Sequence, residues 1–410
     1  MALNNQADNS TIKVVVALTG REDSAVAAFL LKKQGYQVIG LSMVVTNEDI
    51  VDNKDFLPKC HILDLDKVKA FCEKIKIPFY ATDAKARFEN DVLDKLVSNK
   101  LTARANASCF NCTQMRMHIL YQKMKALKAD YISTGHYCKV YKNINSDEYF
   151  IHSNNDVKSD QSLLLAGMDQ DILKHLMLPL GELRQEEVTK ISKNFNLLAD
   201  KSIEQAGFCF KVKEATEKLL ISKIPKSMLK AGQIINKQSE VVQGDHKGMA
   251  FHYLTEKEFE MENSGTLEKN IEIVDYNFSN GQIFAGSKKF LTFKGTQIVS
   301  LMIGKGLDKR RPLTCYIKFQ YSNSFVKANL LFKNNQTAYL DFAEEVYPLI
   351  KGENIVIYDS NSRNSKIIGY AQVGTRGEFK AIDRVEFFKN KSNNVEEENK
   401  NDQNVSLFKF

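Results

Sequence analysis

The stretch VVVALTGREDSAVAAFLLKKQG, Val14 to Gly35, decides the fold of the first part of the chain. It continues an apolar run, IKVVVAL, that is typical of a strand buried on both faces. Ser24 to Gln34 then has helical spacing, and Gly35 is a stop signal. The turn between strand and helix, TGREDS, has the composition of a loop that can hold a phosphate.

The same alternation of strand and helix continues to about Ala84. YQVIGLSMV predicts a second strand, residues 66–75 a helix, and IPFYAT a third strand. A helix over residues 113–128 leads into ADYISTGHY, a strand that ends in a Gly-His corner. This pattern predicts an α/β fold with a doubly wound parallel sheet, whose ligands collect beyond the carboxyl ends of the strands. We therefore expect Gly20 and Gly135 on one edge of the sheet.

Changes of pattern divide the chain into four parts. We expect an α/β domain at 1–210 and a small connecting domain at 211–270, where a short helix mixes with Gly-containing turns. Short alternating segments such as CYIKFQYS and TAYLDF predict an antiparallel β-barrel at 271–387. The polar residues 388–410 predict a disordered tail.

The composition is that of an ordinary folded protein. The 410 residues are 43% hydrophobic and 26% charged, which excludes a fibre or a wholly disordered chain. The formal net charge of +7 suits a nucleic-acid partner without establishing one. Seven irregularly spaced cysteines and an N-terminus without an apolar signal core predict a reducing, cytoplasmic location. No apolar run reaches the roughly 18 residues of a membrane span.

The residues of TGREDS leave two interpretations open. Backbone N–H groups at a glycine-containing turn can cradle an anion, with Thr19 and Ser24 adding hydroxyl donors. The alternative is an ordinary turn in which Asp23 or Ser24 caps the helix. The absence of a Gly-Lys-Ser/Thr pattern argues against a P-loop NTPase.

The cysteines also leave alternatives. Cys109 and Cys112 have C-x-x-C spacing, but no second pair follows that would complete a structural zinc site. Cys112 lies just before the predicted helix, whose positive end would stabilise a thiolate, and inert thiols are the alternative. Cys209 alone suggests a small buried hydrophobe. His136 suggests a hydrogen-bonded corner, and Asp160–Ser162 a helix cap.

The order of these blocks resembles the bacterial tRNA 2-thiouridylase family, from about Ile12 to Val373. The most specific marks are TGHY, DQS followed by LPLGEL, and GFCF at the last of these cysteines. The resemblance implies an N-terminal ATP-pyrophosphatase domain, a small central tRNA-binding domain and a C-terminal β-barrel. It also implies a reaction that replaces the C2 oxygen of the wobble uridine of tRNA by sulfur.

The resemblance implies the cofactors and partners of this reaction. ATP adenylates the C2 oxygen, with Mg²⁺ expected to neutralise the pyrophosphate. A cysteine persulfide then supplies the sulfur while AMP leaves. The expected partners are tRNA and a sulfur-donor protein, either a cysteine desulfurase or a sulfur relay. The chain is expected to act as a monomer without membrane contact.

The resemblance also assigns roles to residues. Cys112 is the nucleophile that resolves the intermediate, Cys209 carries the persulfide, and the two pass through a disulfide. The expected ATP contacts are Ala17, Leu18, Thr19, Gly20, Arg21, Glu22, Asp23, Ser24, Met43 and Gly135. The expected tRNA contacts are Asn106, Cys109, His136, Ser159, Asp160, Gln161, Lys318 and Phe319.

Departures from the family pattern keep other functions open. The family loop reads Ser-Gly-Gly-x-Asp-Ser, so Arg21 replaces its second glycine and Glu22 an apolar residue. Arginine at a positive φ would cost about 1 kcal/mol or more, although its guanidinium could reach a phosphate. NASCFNCT also lacks the family's proline and has Thr113 for an asparagine. The alternatives are a paralogue with weakened or lost ATP use, which binds tRNA or serves another thiolation target, and a general thiol redox protein.

Overall fold

The computed structural model of the chain describes residues 8–45, 64–197, 213–257 and 271–377, except 306, 321 and 323. A five-stranded parallel sheet forms its first part, in the order β3-β2-β1-β4-β7. The strands of the chain up to residue 177 are β1 Lys13–Ala17, β2 Gln37–Val44, β3 Phe79–Asp83, β4 Tyr131–Ser133, β5 Cys138–Lys142, β6 Tyr149–Ser153 and β7 Leu176–Met177. The strand order turns back between β1 and β4, as in a doubly wound sheet, which confirms the predicted fold class.

Helices cover both faces of this sheet. They are α1 Glu22–Lys33, α2 Leu65–Lys74, α3 Lys85–Phe88, a π-helical turn Glu89–Leu93, α4 Asp94–Leu101, α5 Ser108–Ala126, α6 Gln170–Lys174 and α7 Gln185–Asn194. Val15 packs in the core that contains α5 residues, whereas Val14 and Val16 pack in the core that contains α1 residues. The unbroken apolar run of β1 is explained by this two-sided burial.

Helix α5 begins earlier than the sequence predicted. The carboxamide of Asn106 accepts hydrogen bonds from the backbone N and the hydroxyl of Ser108, at 2.9 and 2.6 Å, and so starts the helix at Ser108 rather than near Thr113. Cys112 is consequently the fifth residue of the helix and does not precede it. The prediction that Cys112 lies at the helix N-terminus is wrong, and Cys109 lies in the first turn instead.

A four-stranded sheet follows, after helix α8 Lys213–Lys223, in the order β10-β11-β8-β9. Its strands are β8 Gly232–Asn236, β9 Val242–His246, β10 Glu272–Asn277 and β11 Gln282–Gly286. The segment IEIVDYNF was predicted to belong to the barrel. It pairs with β11 in this separate sheet, which crosses the predicted boundary at residue 271.

A closed antiparallel barrel forms the last described part, in the order β12-β15-β14-β13-β16-β17. Its strands are β12 Phe293–Ile303, β13 Leu313–Phe319, β14 Val326–Phe332, β15 Ala338–Val346, β16 Asn354–Tyr358 and β17 Ile367–Arg376. The barrel also packs on the first domain, because Val356, Tyr358 and Ile367 share a core with Cys112 and other residues of α5. None of the helices in the described ranges is long and apolar enough to cross a membrane.

Candidate active site

The turn between β1 and α1 is closed by its own hydrogen bonds. Gly20 carries the positive φ, +73°, while Arg21 is extended at φ −103° and ψ 157°. The Ser24 hydroxyl accepts from the backbone N of Thr19 at 3.1 Å and donates to the carbonyl of Arg21 at 2.9 Å. Arg21 therefore carries none of the backbone strain that a positive φ would impose. The first-turn amides of α1 have no carbonyl of the preceding turn to bond, as at any helix start, which suits an anion.

Glu22 does not face this turn. Glu22 is 5% exposed, and its Oε2 accepts a hydrogen bond from the hydroxyl of Thr189 on α7 at 2.9 Å. The prediction from sequence placed this carboxylate against a bound nucleotide. In the structure the Glu22 carboxylate instead contributes to the packing of α1 against α7.

The start of the turn is held by the neighbouring strand. Leu18 is buried at 3% exposure, its backbone N donates to the carbonyl of Leu41, and its own carbonyl accepts from the Ser42 hydroxyl at 2.9 Å. Ala17 ends β1, and Met43 lies near the end of β2 with 4% exposure. Leu18 and Met43 can therefore shape this edge through apolar packing, while Leu18 has both backbone groups in use.

Gly135 packs directly on the backbone of the turn. A Cβ at this position would lie 2.7 Å from the carbonyl carbon of Asp23 and 2.8 Å from the backbone N of Ser24. Backbone atoms cannot rotate away from such a contact, so glycine is required. The end of β4 and the start of α1 thus meet beside the β1–β4 pair, where a doubly wound sheet binds its ligands.

The rest of the TGHY corner is tied to the same turn. The Tyr137 hydroxyl donates a hydrogen bond to the Asp23 carboxylate, and Thr134 Oγ1 lies 2.8 Å from Nδ1 of His136. Gln161 is bonded to Tyr137 twice: its side-chain oxygen accepts from the Tyr137 N, and its own N donates to the Tyr137 carbonyl. Burial lowers the pKa of His136 to about 4, so the imidazole is neutral near pH 7.

Cys112 faces inward from α5. It is 8% exposed, and the Nε–H of Arg116, one turn later, donates to its Sγ at 3.2 Å. Phe110 on the same helix stacks on Tyr370 of the barrel, with ring centroids 5.1 Å apart and planes 1° from parallel. The cysteine helix is therefore fixed from the barrel side. Cys209 lies outside the described residues, so its predicted approach to Cys112 stays a prediction.

Comparisons with known proteins agree with this architecture. Residues 12–213 match the tRNA methyl transferase HUP domain family. The tRNA-specific 2-thiouridylase MnmA of Clostridium beijerinckii is 27% identical over 350 residues, which are 85% of this chain and 95% of the relative. That of Clostridium kluyveri is 28% identical over 352 residues, 85% of this chain and 96% of the relative. Over most of its length the chain is similar to tRNA-specific 2-thiouridylases.

A more distant likeness exists among solved structures. A 4-thiouridine synthetase–RNA complex with bound ATP aligns with 45% of this chain and 41% of that chain, at 13% identity and a TM-score of 0.31. A likeness this low does not bear on function. The likeness to 2-thiouridylases rests on the sequence relatives, of which this chain covers 95–96%.

Several tRNA contacts that the 2-thiouridylase resemblance implied are enclosed in the structure. Nζ of Lys318 lies 2.7 Å from Oδ2 of Asp160, and their side chains are 5% and 2% exposed. Phe319 is 5% exposed and packs edge-on to Phe342 inside the barrel. Asp160 also accepts from the Ser162 hydroxyl at 3.0 Å. Asp160 and Lys318 join the first domain to the barrel, and tRNA could touch them only if that interface opened.

The other implied tRNA contacts are more accessible. Asn106, Cys109, Ser159 and Gln161 are partly exposed, although Asn106 starts α5 and the Ser159 hydroxyl donates to Asp156 at 2.7 Å. No group of three or more His, Cys, Asp or Glu side chains in the described ranges is arranged to hold a metal ion.

Three residues at the candidate site were missed by the sequence interpretation. Tyr137 was quoted within TGHY without a role, yet it bonds Asp23. Arg116 and Thr189 were not considered, although the i,i+4 spacing of Arg116 from Cys112 was a usable signal. The contact from Thr189 to Glu22 joins residues 167 positions apart, so no local pattern could reveal it.

Proposed function

We propose that this chain is a tRNA uridine 2-sulfurtransferase that uses ATP to activate the wobble uridine and a cysteine persulfide to deliver sulfur. The observation that carries the proposal is the closed turn at Gly20, packed against Gly135 at the β1–β4 edge, in a chain similar to 2-thiouridylases over most of its length. The relatives are named for tRNA 2-thiouridylation, and the chain covers about 95% of their length.

The turn supports the binding of an ATP triphosphate. Its glycine and the first-turn amides of α1 provide backbone donors for phosphate oxygens, reinforced by the positive end of the helix. Asp23 is held by Tyr137 at the same edge. Mg²⁺ would accompany the nucleotide and neutralise the charge that develops on the pyrophosphate.

The conformation of Arg21 and Glu22 favours this reading over a paralogue that has lost ATP. The two objections from sequence were backbone strain at Arg21 and a negative charge near the phosphates. The positive φ belongs to Gly20, and the Glu22 carboxylate is buried against Thr189. The strain objection therefore loses its physical basis, and the Glu22 carboxylate is held by α7 rather than by the turn.

The sulfur chemistry is assigned to Cys112 and Cys209. The persulfide on Cys209 attacks C2 of the adenylated uridine, and AMP leaves with the oxygen. The Cys112 thiolate then attacks Cys209 Sγ, forming a Cys112–Cys209 disulfide while the electron pair of the broken S–S bond passes to the uridine sulfur. A sulfur-donor protein and a thiol reductant restore the starting state.

Mass spectrometry of tRNA nucleosides tests the proposal. The purified chain, incubated with ATP, Mg²⁺, a persulfide donor and unmodified tRNA, should produce 2-thiouridine in the tRNA digest. Cys112→Ser and Cys209→Ser should abolish it, while Cys315→Ala, a buried cysteine inside the barrel, should retain it. Product from either serine variant, or none from the wild type, would sink the proposal.

Calorimetry distinguishes the proposed enzyme from the alternative function. A tRNA-binding protein without ATP use should bind tRNA but give no saturable heat with ATP and Mg²⁺. Saturable ATP binding that Gly135→Ala weakens is the result we expect.

A further inference from the structure

The guanidinium of Arg116 lies next to the sulfur of Cys112 and carries a permanent positive charge. We propose that Arg116 is a positioning residue for sulfur transfer, whose guanidinium holds Cys112 Sγ as a thiolate ready to attack. The inference rests on the proposed function, because that function gives the thiolate its task. It assigns a role to a residue that the family motifs in this chain do not include.

The contact has the geometry of a charge-assisted hydrogen bond. The Nε–H of Arg116 donates to Sγ at 3.2 Å, and the two residues are four apart on α5, so the helix itself sets their distance. A sulfur that is 8% exposed has little water to stabilise a negative charge. A guanidinium, which stays protonated at all working pH values, supplies that stabilisation.

The helix end cannot supply the same effect. Cys112 is the fifth residue of α5, and the influence of the helix dipole falls off within the first turn. Cys109, in that first turn, is better placed for it. Activation of Cys112 therefore needs a local cation, and Arg116 is in contact with it.

Other charged groups near α5 lie toward the surface. In the described ranges α5 packs against β1, β4, α3, the π-helical turn, α6, the short 3₁₀ helix at 162–165 and strands β16 and β17 of the barrel. The titratable side chains of the first six elements are Lys13, Tyr131, Lys85, Arg87, Glu89, Asp91, Asp171 and Lys174, all exposed or half-buried. Nearest on the barrel strands are Tyr358 and Tyr370, and burial raises the pKa of both phenols, so both are neutral near pH 7. Arg87 pairs with Asp91, and Glu89 pairs with Lys223. The Nε–H of Arg116 donates directly to the buried sulfur, and we expect its positive charge to favour the thiolate.

The role of Arg116 fits the balance of the resolving step. The thiolate supplies an electron pair to Cys209 Sγ, the bond from Cys209 to the uridine sulfur breaks, and the pair departs on that sulfur. No proton has to leave Cys112 during the attack if the sulfur is already a thiolate. Without Arg116, a general base would have to remove that proton first.

Alkylation of the full-length chain tests this directly. Iodoacetamide reacts with thiolates, and peptide fragmentation distinguishes label on Cys112 from label on Cys109. Arg116→Met should slow labelling of Cys112 about tenfold near pH 7, because a neighbouring opposite charge favours the ionised form by at least that factor. Near pH 10 the two rates should differ less, because hydroxide then ionises part of the thiol without help from a cation.

The controls separate charge from access and from folding. Arg116→Lys should restore part of the rate near pH 7. Lys125→Met removes an equal charge about 20 Å from Cys112 along α5 and should leave the labelling rate of Cys112 unchanged. Should Arg116→Met fail to fold, Arg116→Gln takes its place.

Two results would overturn the inference: equal labelling of Cys112 near pH 7, or the same slowing at both pH values, which would mean altered access. Labelling needs neither ATP nor tRNA. A chain that makes no 2-thiouridine but shows the Arg116 effect would contradict the proposed function alone, and the reverse result would contradict the role of Arg116 alone.

Discussion

Gly20 and Arg21 adopt different backbone conformations in the turn, which a sequence comparison could not reveal. The left-handed conformation falls on Gly20, where it is free of steric cost, and Arg21 stays in the extended region open to any residue. The second glycine of the family pattern is therefore dispensable for the backbone of this chain. What remains to be tested at this scale is the effect of individual side chains.

Glu22→Val should leave ATP affinity nearly unchanged. The carboxylate is buried against Thr189 of α7, so its removal takes no negative charge from the face of the turn. Calorimetry with ATP and Mg²⁺ should give a Kd within about twofold of wild type, the scale expected of a charge that does not contact the ligand. Thr189→Val, which breaks the same hydrogen bond from α7, is the matched control. A tenfold gain in affinity for Glu22→Val alone would mean that the carboxylate does repel the phosphates.

His136 should make the chain less stable in mild acid. Burial lowers its pKa from 6.5 to about 4, so between these values the unfolded chain binds a proton that the folded chain does not. The stability from neutral His136 is fully present above pH 6.5 and is lost as the pH falls toward 4. Urea unfolding of His136→Asn should therefore depend less on pH across this window than wild type.

At the scale of elements, the sequence predicted those features that depend on a few neighbouring residues. The apolar run of β1 and the stop at Gly35 fixed a strand and a helix end, because burial and a positive φ of 90° act within a few residues. The start of α5 was missed because Asn106 begins the helix by a side-chain bond to Ser108. The pairing of β10 was misassigned because its alternating pattern is equally compatible with either sheet.

The meeting of β4 with α1 is the element contact on which the site depends most. Gly135→Ala would force a methyl group to within 2.7 Å of the Asp23 backbone, so the start of α1 must move. We expect a loss of about 1–3 kcal/mol in unfolding free energy and at least tenfold weaker ATP binding. Gly295→Ala, with a similar contact of 2.9 Å inside the barrel, should lose stability but keep its ATP affinity. Equal ATP affinity in both variants would show that the contact does not shape the site.

At the scale of the whole molecule, a buried polar junction lies between the barrel and the first domain. Asp160 pairs with Lys318 of β13, and Ser162 lies 2.8 Å from the hydroxyl of Tyr358 of β16. The barrel also reaches α5 through the stack of Tyr370 on Phe110. The barrel therefore helps to fix the helix that carries Cys112, which gives the barrel a part in the proposed sulfur transfer without requiring it to touch tRNA.

Lys318→Met tests whether this junction is structural. The substitution leaves the Asp160 carboxylate buried without its cation, and we expect a loss of about 3–5 kcal/mol in unfolding free energy. The double variant Asp160→Asn with Lys318→Met should recover part of the loss, because no uncompensated charge remains. Lys142→Met, which breaks an exposed pair with Asp147, should change the free energy of unfolding far less in the same urea titration. A Lys318→Met chain as stable as wild type, but with weaker tRNA binding and a shallower salt dependence, would instead make Lys318 a phosphate contact. The two outcomes are exclusive because a lysine that is 5% exposed can reach a phosphate only when the junction is open.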